Sequence, residues 1–118
     1  MARRILIGLH DDGVVNVFIR CSRVAGYELD VAKNTAEFLD LAKKNEYKRA
    51  VMDINFGNPG QVDISPAQRA WEIFRPQAEQ GLIKFVAISG NAETVEKALE
   101  EKIPADYTPI SPSKFLND

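Results

Sequence analysis

The chain is poor in the residues that build cross-links and metal clusters. It has one cysteine, Cys21, and one histidine, His10. A lone thiol closes no internal disulfide, and one thiol with one imidazole falls short of a zinc ligand set. Phe18, Ile19 and Val24 around Cys21 point to a packed helical position instead. No apolar run approaches the roughly 20 residues of a membrane span. The N-terminus leads directly into strand-like sequence without the pattern of a signal peptide, so a cytoplasmic location is expected. Neither sign of charge dominates, with 15 Lys+Arg against 17 Asp+Glu. The adjacent basic pairs Arg3-Arg4 and Lys43-Lys44 read as solvated edges, and no field draws the chain to nucleic acid or an anionic membrane. The glycine motifs that cradle dinucleotides or nucleotide phosphates do not follow the first strand-like run, which argues against a nucleotide binder or a small flavodoxin-like enzyme. There is no internal repeat, low-complexity tract or linker.

What is present is ordinary globular sequence. The 118 residues are 45% hydrophobic and 27% charged, enough for one domain over 1–118 and too few for two. The run from Arg4 to Leu9 is almost continuously apolar, as in a strand buried on both faces. After the break at His10 to Gly13, Val14, Val17, Phe18 and Cys21 recur at helical spacing, with Asp12 or Gly13 as the start and Gly26 as the stop. Tyr27 to Val31 alternates like a partly exposed strand. Asn34 and Glu37 have the spacing of a capping box, ahead of a helix whose inner face is Phe38, Leu41 and Ala42 and whose end lies near Asn45. Ser65-Pro66 reads as N-cap and first residue of a third helix with Ala70, Trp71, Phe74 and Ala78 inside, and Pro76 is expected to kink or end it. Leu82 to Ile88 is the clearest strand. Asn91 caps a helix carrying Val95, Ala98 and Leu99. Ala105 to Ile110 is a last short strand, and Ser111-Pro112 opens a final, truncated helix.

Five strands alternating with helices imply a doubly wound parallel sheet with helices on both faces. Ligands bind such sheets at the carboxyl ends of the strands. Asp53 stands at that end of the third strand, closing the apolar stretch that starts at Arg49. Alone, an acid there either bonds a neighbouring loop or holds a metal or phosphoryl group. The same rim gathers His10, Asp11 and Asp12 from the first strand, Ser89 from the fourth, and Tyr107 and Thr108 from the fifth. Their convergence favours a functional reading.

The segments Gly26 to Ala32, Val51 to Asn55, Val86 to Val95 and Ala105 to Pro112, in this order and spacing, resemble the receiver domain of bacterial response regulators. The resemblance spans nearly the whole chain. It implies a flavodoxin-like (βα)5 fold and a signalling domain of a two-component phosphorelay, not a turnover enzyme beyond self-catalysed phosphorylation and dephosphorylation. It implies that Asp53 accepts a phosphoryl group from a histidine kinase or phosphotransfer protein. Mg²⁺ would be held by Asp53, the carbonyl of Asn55 and an acid from the first strand. Ser89 matches the switch hydroxyl and Tyr107 the switch aromatic. Output would be binding to a downstream protein target, with a homodimer as a further possibility. These residue types suit the chemistry, because an incoming phosphoryl group adds nearly two negative charges beside a carboxylate.

The chain also departs from that family. The acidic pair at the end of the first strand is replaced in part by His10. In the preferred alignment Asp11 is the best metal ligand, while Asp12 either substitutes for it or only caps the helix. The lysine before a proline at the end of the fifth strand is replaced by Thr108-Pro109, so the site lacks that cation. Lys84 lies at the wrong end of its strand to replace it. The loop from Phe56 to Asp63 is longer than the family's turn, and either covers the site, offers a partner surface or is a tolerated insertion. These losses support an alternative, a degenerate pseudo-receiver acting as a phosphorylation-independent interaction module.

Overall fold

A computed structural model describes residues 3–117; Met1, Ala2 and Asp118, which belong to the expected 1–118 domain, lie outside the described residues. The strands are β1 (Arg4–Gly8), β2 (Glu28–Val31), β3 (Arg49–Asp53), β4 (Lys84–Ser89) and β5 (Ala105–Tyr107). The helices are α1 (Asp12–Ala25), α2 (Thr35–Lys44), α3 (Ser65–Glu79), α4 (Ala92–Glu100) and α5 (Pro112–Asn117). All strand pairs are parallel and the sheet order is β2-β1-β3-β4-β5. That is the flavodoxin-like order, which reverses direction between β1 and β3 and opens a crevice there.

Strand alternation sorts the core into two layers. Leu6, Ala50, Met52, Phe85 and Ala87 pack with Phe38 of α2, Phe74 of α3 and Val95 of α4. Ile5, Ile7, Val51 and Ile88 point the other way, onto Phe18 of α1 and Phe115 and Leu116 of α5. Ile5, Leu6 and Ile7 are fully buried, which explains why β1 reads as an unbroken apolar run. Cys21 is partly buried against the second layer. Gly8 is dictated by packing: a Cβ there would fall 2.7 Å from Phe38 and 2.8 Å from Phe56.

The helix ends follow the sequence in most places. Gly26 closes α1 at φ 79°, a left-handed conformation that suits glycine. Asn34 Oδ1 accepts the N–H of Glu37 at 2.8 Å, and Asn91 Oδ1 that of Thr94 at 3.1 Å. Three expectations are corrected, the third only in part. The cap of α1 is Asp11, whose Oδ1 accepts from Gly13 and Val14 N–H at 2.8 and 3.2 Å, while Asp12 is already helical. An acceptor one residue before the helix reaches those free N–H groups; one inside it does not. Ser65 is likewise the first residue of α3 and not its cap, and Asp63 Oδ1 accepts both its N–H and its hydroxyl. Pro76 does not end α3, which continues to Glu79; a missing N–H removes a single backbone bond three residues from the end. β4 and β5 are also shorter than expected, beginning at Lys84 and ending at Tyr107. The final helix is short, with six residues. Among the described residues, no helix is long and apolar enough to cross a membrane.

Candidate functional site

The register decides what meets at the carboxyl rim. Gly8 is level with Met52, and Asp53 is level with Ile88. The residues just beyond Gly8 and Ile88 therefore come up beside Asp53. A cleft of about 580 Å³ opens there, lined among others by His10, Asp11, Asp53, Asn55, Ser89 and Thr108. Two expected site residues are outside it. Asp12 faces solvent on α1, and Tyr107 is 46% exposed on the edge strand and lines a separate groove with Lys84 and Phe115.

His10 makes the defining contacts of the cleft. Its backbone N–H donates to Asp53 Oδ2 at 2.6 Å, and its Nδ1 lies 3.0 Å from the same oxygen. Its Nε2 accepts the backbone N–H of Gly57 at 2.9 Å. This network assigns the ring proton to Nδ1. The imidazole also packs against the buried ring of Phe56, with centroids 5.3 Å apart. A single histidine after an apolar strand carries no sequence pattern for this role; its adjacency to Asp53 comes from the β1–β3 register.

The Asp53 side chain is only 17% exposed. Burial raises its carboxyl above the ordinary value of 3.8; the hydrogen bond from the His10 backbone and the imidazole beside it oppose this, and the Asp11 charge adds to it. Ser89 Oγ accepts from Asn91 N–H at 3.1 Å, and among the described residues no hydrogen bond joins it to Asp53. Thr108 is tied to β4 by its N–H on the Ser89 carbonyl at 3.0 Å, and the Thr108–Pro109 peptide is cis.

The residue whose carbonyl the resemblance assigns to Mg²⁺, Asn55, is tied into the loop that follows it. Its Nδ2 donates to the carbonyls of Asn58 and Gln61 at 3.0 and 2.9 Å, and its own carbonyl accepts from Asn58 N–H at 2.8 Å. It therefore braces the long loop from within. Thr35 Oγ1 donates to the Phe56 carbonyl, and Asn58 Nδ2 donates to Asp63. The loop thus stands as a wall of the cleft, presenting Pro59 and Gly60.

The described residues offer Mg²⁺ few uncommitted oxygen donors. That ion needs near-octahedral oxygen ligands, normally including carboxylates. Here one Asp53 oxygen is taken by His10, Asp11 Oδ1 is committed to the α1 cap, Asp12 is off the cleft, and the Asn55 carbonyl is engaged in a turn. Among the described residues, no group of three or more His, Cys, Asp or Glu could hold a metal ion.

No family model matches the chain. No curated protein matches it significantly. Solved structures do. A CheY-like response regulator receiver domain protein from Methanospirillum hungatei JF-1 superposes with a TM-score of 0.72 over 98% of this chain and 89% of its own, at 18% identity. The chain has the receiver-domain fold. A Burkholderia pseudomallei response regulator with a phosphorylated aspartic acid, calcium ion and citrate also gives 0.72, at 18% identity, over 97% of this chain and 64% of that one. The receiver domain of a Pseudomonas aeruginosa PAO1 sensor histidine kinase, with magnesium ion coordinated in the active site cleft, gives 0.66 at 15% identity over the whole of both chains. Within the receiver fold, the cleft at Asp53 lies at the carboxyl ends of the strands, where open α/β sheets place their ligands.

Proposed function

We propose that this receiver-fold chain is a signalling interaction module that does not use phosphorylation of Asp53 as its switch. The observation that carries this reading is the His10–Asp53 pairing. Two donors from one residue occupy Asp53 Oδ2, and the imidazole fills space beside the carboxylate. A phosphoryl group would add nearly two negative charges next to Asp53 and Asp11. No lysine or arginine lines the cleft to offset them, and Thr108 contributes only a hydroxyl. Output would be binding to another protein in a two-component pathway.

The phosphoacceptor reading is the alternative, with a histidine kinase or phosphotransfer protein as donor. Its support is that Asp53, Ser89 and Thr108 share one open cleft. Incubation with Mg²⁺ and acetyl phosphate, followed by intact mass, separates the two. The module reading expects no adduct. A phosphoryl adduct that disappears in Asp53→Asn would overturn it.

A further inference from the structure

The cleft at Asp53 combines an apolar wall with an anionic floor. Its volume of about 580 Å³ lies within the range of small-molecule sites. Val14 and Val17 of α1, Ile110, Pro112 and Pro59 form the wall. Val17 is 41% exposed, an apolar side chain left open on the cleft side of its helix. On the floor, His10 engages only Oδ2 of Asp53, and Oδ1 has no hydrogen-bond partner among the described residues. Oδ1 is not sealed from solvent either, since the only such unpartnered side-chain atom among the described residues is Ser22 Oγ. Asp11 stands at the same cleft, and no lysine or arginine lines it. A mostly buried carboxylate without a cation beside it is poorly stabilised.

We propose that this cleft binds a small organic cation, an ammonium or amidinium head on a compact apolar body, with the head on Asp53 Oδ1 and the body against Val14, Val17 and Ile110. The inference rests on the module reading, because a phosphoryl group on Asp53 would occupy the same space. The charge selects the class. An anion meets two carboxylates and no fixed cation, and a neutral apolar molecule covers Asp53 without satisfying it. An ammonium offers three donors, and the hydroxyls of Ser89 and Thr108 line the cleft as further acceptors.

The test is a ¹⁵N NMR titration of the full chain with benzamidine and phenethylammonium, and with phenylacetate and benzyl alcohol as the anionic and neutral counterparts. Saturable shifts are expected at His10, Ser89, Gly90 and Thr108 with the two cations. The anion and the alcohol should bind at least about tenfold more weakly, the equivalent of one lost favourable contact. Asp53→Asn should weaken benzamidine by a similar factor. Thr108→Lys, which supplies an internal cation, should do the same, while Tyr47→Phe at the opposite end of the sheet should not. Equal response to cation, anion and alcohol, or unchanged affinity in both cleft variants, would overturn the cation inference alone. A phosphoryl adduct on Asp53, read by mass on the same preparation, would overturn the module reading and the cation inference with it.

Discussion

Gly57 donates its backbone N–H to Nε2 of His10 at 2.9 Å, which ties the loop after β3 to the end of β1. His10→Ala removes this tie and the ring contact with Phe56. The Gly57 amide should then exchange with solvent faster, and global stability should fall by about 1 kcal/mol, the net value of an exposed hydrogen bond. Hydrogen exchange with urea unfolding measures both. Unaltered exchange at Gly57 would mean that the loop stands without the histidine.

The raised carboxyl of Asp53 fixes the sign of a pH effect. Between the ordinary value of 3.8 and its higher folded value, the native state holds this proton more firmly than the unfolded chain. Its contribution to stability therefore falls as pH rises through that window, and stays lower above it. Asp53→Asn keeps an acceptor for His10 and removes the titration. The variant should be more stable than the parent at neutral pH and level with it below the window. Urea midpoints across pH decide, and a variant weaker than the parent at neutral pH contradicts the account.

Gly8→Ala tests the close approach of β1 to the aromatic layer. The added Cβ would lie 2.7 Å from Phe38 and 2.8 Å from Phe56, so buried rings must shift. Overpacking of this kind costs about 1–3 kcal/mol. Thermal unfolding should show a clear drop in Tm, larger than for an exposed alanine substitution.

At the amino end of the sheet, the buried Tyr47 donates to Asp30 Oδ2 at 2.8 Å. Burial first, then this bond, raises its phenol to about 12. A tyrosine that resists ionisation when folded withdraws stability as pH rises above its ordinary value of 10.0. The difference in phenolate absorbance between the parent and Tyr47→Phe should therefore emerge near 12 in the folded protein. The variant should lose about 1 kcal/mol at neutral pH.

The fold was legible because each strand announces itself chemically. Runs ending at Gly8, Asp53 and Ser89 are apolar on both faces, and Gly26, Asn34 and Asn91 mark helix ends by residue type. The placing of Asp53, Ser89 and Thr108 at one cleft also followed from strand order. Contacts depending on one-residue offsets were not legible. Asp11 and Asp12 are chemically alike, and only backbone geometry makes the first the cap. His10 bonding Asp53 and Asn55 folding into its own loop are tertiary choices that local pattern does not record.

The Asn55 brace has a consequence for encounter with other molecules. With its amide shared between two carbonyls and Phe56 anchored in the core, the lip from Gly57 to Gln61 is already shaped before anything arrives. A visitor to this rim loses little freedom on the protein's side when it docks. Recognition here should thus depend on matching a standing surface, and single changes such as Asn55→Ala should loosen it by blurring that surface.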